Sequence, residues 1–197
     1  DVIVQLFNAD GTKNGNHILV NTYTTLHQSN PSISVFSDKS FVVVWYSLGQ
    51  LTGNPDDSDT YFQLFDASGN KVGSETLVNT ERTEDYQRFG FVNVLHDDKF
   101  IVAYPSRYEP SVDTLYYRLF DTNGVQIGPA ISIPSYKPHE SGQSRVRFVE
   151  LSNNKLVFTW YEKDVGIKIR MFDTPTPPVS ECISYPEYDC ASPATTG

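Results

Sequence analysis

The sequence predicts an all-β protein of three tandem four-stranded antiparallel units, about 50–58 residues each, followed by one extra strand. Three observations predict it. A hairpin corner recurs as Phe7-Asn8-Ala9-Asp10-Gly11, Phe65-Asp66-Ala67-Ser68-Gly69 and Phe120-Asp121-Thr122-Asn123-Gly124, and begins again at Phe172-Asp173-Thr174. The corner phenylalanines stand 58, 55 and 52 residues apart, a spacing typical of propellers, solenoids and arrays. No window sustains a 3.6-residue apolar period, and Gly or Pro interrupts the longer connections, as at Gly49, Gly53 and Pro55.

Each unit opens on a strand: Val2–Phe7, Tyr61–Phe65 and Leu115–Phe120, with Ile167–Phe172 as a fourth copy. In that last copy Ile167, Ile169 and Met171 alternate with Lys168 and Arg170, the period-2 pattern of a half-buried strand. The corner follows, its glycine supplying the positive φ that a hairpin needs. A short second strand comes next, as Ile18-Leu19-Val20, Thr76-Leu77-Val78 and Ala130–Ile133. A polar connection then reaches Gln28, Gln87 and Gln143, which lie 21, 22 and 23 residues after their corner Phe. Such regularity favours structural amides that satisfy backbone groups where the second strand hands over to the third.

The third strand is Ser32–Phe36, Phe89–Leu95 and Val146–Leu151. A tight polar turn separates it from the fourth: Asp38-Lys39-Ser40, Asp97-Asp98-Lys99 and Asn153-Asn154-Lys155. The fourth strand is the most apolar, Phe41–Trp45, Phe100–Tyr104 and Leu156–Trp160, and reads as covered on both faces. A single four-stranded sheet cannot bury its faces, so the units must pack on one another, radially as in a propeller or as stacked sheets. The domain boundaries that follow are 1–173 for the repeat, with units at about 1–58, 59–113 and 114–164 and the extra strand at 165–173. Residues 174–197 form a Pro/Ser/Thr-rich tail.

These units resemble the repeats of large secreted or surface proteins of bacteria and ciliated protozoa, which read roughly Q-R-F-D-x-x-G, V-N-T, Gln, P-x-V and L-x-D-G-x-F-V-V-V-W. Gln5-Leu6-Phe7, Val20-Asn21-Thr22, Gln28, Pro31-Ser32-Ile33 and Phe41-Val42-Val43-Val44-Trp45 carry the likeness, which runs to about residue 173. The resemblance implies extracellular β modules in long surface chains, with no established catalytic residues. One departure is shared by all three units: the Asp-Gly turn has lost its glycine, which leaves the turn type open.

A net charge of −9 and a pI near 4.8 argue against a nucleic-acid partner, whose phosphates would be repelled. No apolar run approaches the length of a membrane span. Opening at the edge of a repeat, the chain is expected to be a processed form or a piece of a longer array. Cys182 and Cys190, the only cysteines, sit close together in the tail and are expected to form a local disulfide, which favours an oxidising compartment. The sole approach to an N-glycosylation acceptor, Asn30-Pro31-Ser32, is blocked by proline, so Thr174, Thr176, Thr195 and Thr196 are the places for O-linked sugars, against an unmodified linker.

No cofactor is expected. Calcium is the ligand considered, at Asp56, Asp57 and Asp59 between the first two units, although the loop lacks EF-hand spacing and a solvated acidic loop is the plainer reading. The four histidines have no metal spacing. Carboxylates such as Glu109, Glu140, Glu150 and Glu162 are present for a glycosidase, but no motif selects a pair. Trp45, Tyr104 and Trp160 read as core. Tyr46, Tyr61, Tyr116 and Tyr161, among others, exceed what small cores need and suggest an interface or sugar contacts.

The orphan strand, with Ile167, Ile169, Met171 and Phe172 as subunit contacts, invites β-augmentation. The resulting expectation is a non-catalytic extracellular structural protein, a surface or filament-forming module whose main partner is itself. A monomeric adhesion or carbohydrate-binding module is the alternative, with glycans as partners. A propeller-type glycoside hydrolase comes third.

Overall fold

A computed structural model describes residues 1–80, 86–106, 114–133, 146–162 and 166–173. All its regular structure is β, in four antiparallel sheets among the described residues. The first pairs β1 (Ile3–Phe7) with β2 (Lys13–Leu19). The second is a meander of β3 (Gln28–Val35), β4 (Phe41–Leu48), β5 (Ser58–Phe65) and β6 (Lys71–Leu77). The third repeats it with β7 (Phe91–Val94), β8 (Phe100–Ser106), β9 (Thr114–Phe120) and β10 (Gln126–Ile133). The fourth holds β11 (Arg147–Glu150), β12 (Lys155–Glu162) and β13 (Gly166–Asp173).

The four-stranded antiparallel sheets are those the sequence predicts, but they are cut half a unit out of phase with its repeat. Each complete sheet takes two strands from one unit and two from the next. The reason is local: the long apolar β4 pairs along its whole length with β5, Phe41 opposite Phe65 and Leu48 opposite Ser58, across the unit boundary. The connection from the second to the third strand instead carries the chain from one sheet to the next.

Both hairpin types share one turn geometry. At the corners, Asn8, Asp66 and Asp121 accept a bond from the N–H of Gly11, Gly69 and Gly124, which sit at φ between 79° and 85°. At the other turns Lys39, Asp98 and Asn154 occupy the same left-handed place, with φ of 73°, 61° and 58°. Their N–H groups bond back to Phe36, Leu95 and Leu151. The missing glycines therefore leave the turn type unchanged, at the cost of holding side-chain-bearing residues in αL.

Three apolar layers hold the sheets together. Val2 and Val20 of the first sheet pack on Phe41, Val43, Trp45, Tyr61 and Phe65 of the second. Val42, Val44, Phe62 and Leu64 on the opposite face meet Val92, Phe100, Val102 and Phe120. Ile101, Leu115, Tyr117 and Leu119 then meet Phe148, Leu156, Phe158 and Trp160. The second and third sheets thus use odd and even strand positions for different neighbours, as a pleated strand requires. The fourth sheet has no such cover on its far face: Ile167, Ile169 and Met171 are 76%, 68% and 54% exposed.

Candidate functional site

The leading strands of the last three sheets, β3, β7 and β11, run side by side and are tied laterally. Ser32 and Ser34 Oγ accept the backbone N–H groups of Val92 and Val94 at 3.2 and 2.9 Å. Asn93 Nδ2 donates to the Phe148 carbonyl at 3.3 Å. These bonds give backbone groups on one sheet partners from the next, so the leading strands are held in register without a shared ladder.

Where these strands turn, a depression of about 300 Å³ opens, lined by Val35, Ser37, Asn93, His96, Asp98, Val149 and Glu150 among others. Two carboxylates face it from successive sheets. Asp98 accepts the Ser37 N–H at 2.9 Å on one oxygen and the Ser37 hydroxyl on the other. Glu150, largely buried, accepts the His96 N–H at 2.7 Å, and His96 Nδ1 lies 2.7 Å from the same oxygen. Ser37 and His96 occupy the same place in their units, so the repeat presents a donor there twice. The acceptor differs, a turn residue in one case and a strand end in the other, which is why no spacing rule in the sequence selects Asp98 with Glu150.

The other sequence-level sites fall elsewhere. Gln28 and Gln87 are buried; Gln28 Nε2 donates to the Thr25 carbonyl at 2.7 Å, and Gln87 Nε2 to Ser106 Oγ at 3.3 Å. Gln143 lies outside the described residues, as do Cys182, Cys190, Thr174, Thr176, Thr195, Thr196, Glu109 and Glu140. The acidic loop does not converge: Asp56 is exposed, Asp57 accepts Thr52 Oγ1 at 2.7 Å, and only Asp59 turns inward, fully buried. Burial raises the Asp59 carboxyl from 3.8 to about 6. No cluster of three His, Cys, Asp or Glu suited to a metal occurs among the described residues. Tyr61 is buried against Trp45 rather than exposed, Tyr46 and Tyr116 are half-buried, and Tyr161 is exposed. Of the strand assigned to subunit contact, Ile167, Ile169 and Met171 face outward, whereas Phe172 packs edge-on to Phe158 within the core.

No family model matches the sequence, and no curated protein does. Solved structures do match. One is an endo-arabinase from Bacteroides thetaiotaomicron VPI-5482, at 12% identity and a TM-score of 0.48, over 84% of this chain and 62% of that one. A thermostable family-43 glycoside hydrolase matches at 12% identity and 0.45, over 86% and 65%. A glycosyl hydrolase from Bacteroides ovatus matches at 12% and 0.37, over 76% and 66%. All three are glycoside hydrolases.

That comparison corrects two expectations, the non-catalytic structural protein and the absence of enzymatic activity. Those expectations rest on repetition of one β unit, read as the mark of a scaffold; the solved structures that match are of glycoside hydrolases. The likeness lies in the fold alone and assigns no residue a role. The chain spans less than two thirds of the length of the first two of these solved chains, 62% and 65%.

Proposed function

We propose that this chain is part of a β-propeller that hydrolyses glycosidic bonds, with the depression at the ends of the leading strands as its sugar site. The observation that carries the reading is the pair of carboxylates, Asp98 and Glu150, brought to one depression from successive sheets. Glycoside hydrolysis needs two carboxyl groups flanking one bond, one to protonate the leaving oxygen and one to act on the opposite face of the ring. Glu150 and Asp98 are the two carboxyl groups assigned to these places. At about 300 Å³ the depression is at the small end of ligand pockets, which fits one sugar unit of a chain rather than a polymer segment.

The test is release of reducing ends from a panel of oligosaccharides and polysaccharides, arabinan included, by the purified protein and by Glu150→Gln and Asp98→Asn, assayed well below each variant's Tm. Hydrolysis by the wild type, reduced at least about 100-fold in both variants, is the expected result. Absence of both hydrolysis and binding across the panel, or equal activity in all three proteins, would remove this reading.

An extracellular location and kinship with the secreted surface repeats belong to the same proposal. What supports them is the repeat signature and the closely spaced Cys182 and Cys190, which we expect to be paired. Intact-mass measurement before and after reduction tests the pairing, and reports any sugars on the tail threonines.

A further inference from the structure

At the start of the second sheet, Gln28, Ser47 and Asp59 lie in one row across β3, β4 and β5: Ser47 is directly opposite Gln28 on one side and Asp59 on the other. Residues paired this way point to the same face, so the three side chains are neighbours. All three are buried. Gln28 Nε2 donates to the Thr25 carbonyl at 2.7 Å and to Ser47 Oγ at 3.4 Å, so both of its N–H groups are committed and only Oε1 is left. Asp59 Oδ1 accepts Asn79 Nδ2 at 2.8 Å. That leaves two acceptors, Gln28 Oε1 and Asp59 Oδ2, buried on either side of Ser47 with no hydrogen-bond donor.

Buried acceptors without donors are rare in native proteins, and a buried carboxylate without a cation is costly. The repeat shows that the fold does not require this arrangement. In the third sheet the same row is Gln87, Ser106 and Thr114, with Ser106 opposite Thr114. There a hydroxyl replaces the carboxylate, and Gln87 Oε1 accepts Asn79 Nδ2 at 3.2 Å. The second sheet therefore departs from its own repeat by adding negative charge and leaving oxygens unmet. Asp57, two residues before Asp59, adds to the negative potential and helps raise the Asp59 carboxyl.

We propose that Gln28 Oε1, Ser47 Oγ and Asp59 Oδ2 form a binding site for a hard cation, sodium or calcium, that ties β3, β4 and β5 together. An all-oxygen set with a carboxylate, an amide carbonyl and a hydroxyl suits these ions and not zinc or copper. A bound cation supplies full positive charge to both orphaned acceptors at once, whereas a water donates one hydrogen bond to each and leaves the carboxylate's charge uncompensated. The acidic loop read from the sequence contributes one ligand to it, Asp59, and the other two come from different strands.

The experiment is thermal unfolding at pH 8, in a choline buffer with chelator, followed by titration with calcium chloride or sodium chloride, choline chloride controlling for ionic strength. Wild-type Tm is expected to rise with one of the two cations in a saturable way, and the saturating ion identifies the occupant. Asp59→Asn and Asp59→Thr, the latter copying the third sheet, are expected to fold and to lose the saturable rise. At pH 5, where a proton competes for Asp59, the wild-type rise is expected to shrink. A Tm that responds to neither cation beyond the choline control overturns the site, as does an equal response in the Asp59 variants. If a variant does not fold, Gln28→Glu, which keeps an oxygen and adds charge, must tighten the response; an unchanged midpoint also counts against it.

Discussion

Asp59 makes stability depend on pH in a direction opposite to carboxylates held by hydrogen bonds elsewhere in the protein. Its carboxyl is raised from 3.8 to about 6 by burial, with Asp57 adding to the rise against the Asn79 hydrogen bond. A carboxyl whose folded pKa is raised binds its proton more tightly in the folded state. Its stabilising effect is full below pH about 4, and is lost as pH rises through about 6. A rise of that size corresponds to about 3 kcal/mol, and allowing for partial screening near the strand end, about 2 kcal/mol is expected. For a chain of this size that is about 4–8 °C in Tm. The assay is urea unfolding of wild type and Asp59→Asn from pH 4 to 8, in chelator and without sodium. Asparagine keeps the shape and one acceptor but cannot ionise, so the difference between the two proteins isolates the titration. The wild type should lose ground to the variant across this window and hold level above pH 7. Asp10, Asp38 and Asp66 are lowered by hydrogen bonds from Thr12, Ser40 and Asn70, so their contribution is lost only below the window. A difference that stays flat from pH 4 to 8 would refute the reasoning.

Three further outcomes follow from the packing. Lys39→Gly should raise stability by about 0.5–1 kcal/mol in urea unfolding, because an exposed residue is released from left-handed geometry while glycine adds its own entropy to the unfolded chain. Leu115→Ala should cost about 2–5 kcal/mol and Ile167→Ala less than about 0.5, although the two positions are equivalent in the repeat, since only Leu115 is buried between sheets; equal costs by the same assay would mean that the far face of the fourth sheet is covered in solution. Asn79→Ala should cost about 2–4 kcal/mol, measured the same way, because the Asn79 side chain accepts the Thr60 N–H and donates to both Asp59 and Gln87.

The strands were legible because their signals are local. Apolar alternation places Ile167, Ile169 and Met171 on one face, and the Gly11, Gly69 and Gly124 corners fall where hairpins form. The grouping of strands into sheets was less legible, since the sequence repeat has no natural origin. A cut before Val2 and a cut before Gln28 describe the periodicity equally well, and only the pairing of β4 with β5 decides between them. Of the depression only Glu150 was legible, as one of several carboxylates open to a glycosidase, and nothing paired it with Asp98. The two carboxylates sit at different places in their units, and the contact that joins each to its neighbour spans more than 50 residues. The turn type stayed open in the sequence for a different reason. Glycine is the usual occupant of αL, but Lys39, Asp98 and Asn154 hold the same geometry because the flanking strands fix it.

Comparison among the repeats separates what the fold requires from what the chain has added. Thr60 and Val2 both give their N–H to the asparagine nineteen residues on, Asn79 or Asn21, and that asparagine donates in turn to Asp59 or Asp1. The clasp is therefore architectural, and its persistence says nothing about ligands. The position of its carboxylate is another matter. It is Asp1, Asp59, Thr114 and Gly166 in the four copies, so no single chemistry is demanded there. Asp1 is exposed and accepts Asn21 Nδ2 at 2.9 Å. At Asp59 the same residue type lies under Gln28 and Ser47 and is fully buried. One residue type in one place of the repeat is thus an exposed clasp acceptor in one sheet, and in the next a buried clasp acceptor with a second oxygen unmet. At Asp59 the burial comes from the row it shares with Gln28 and Ser47, so in a repeat protein added function is sought where burial changes and the residue type does not.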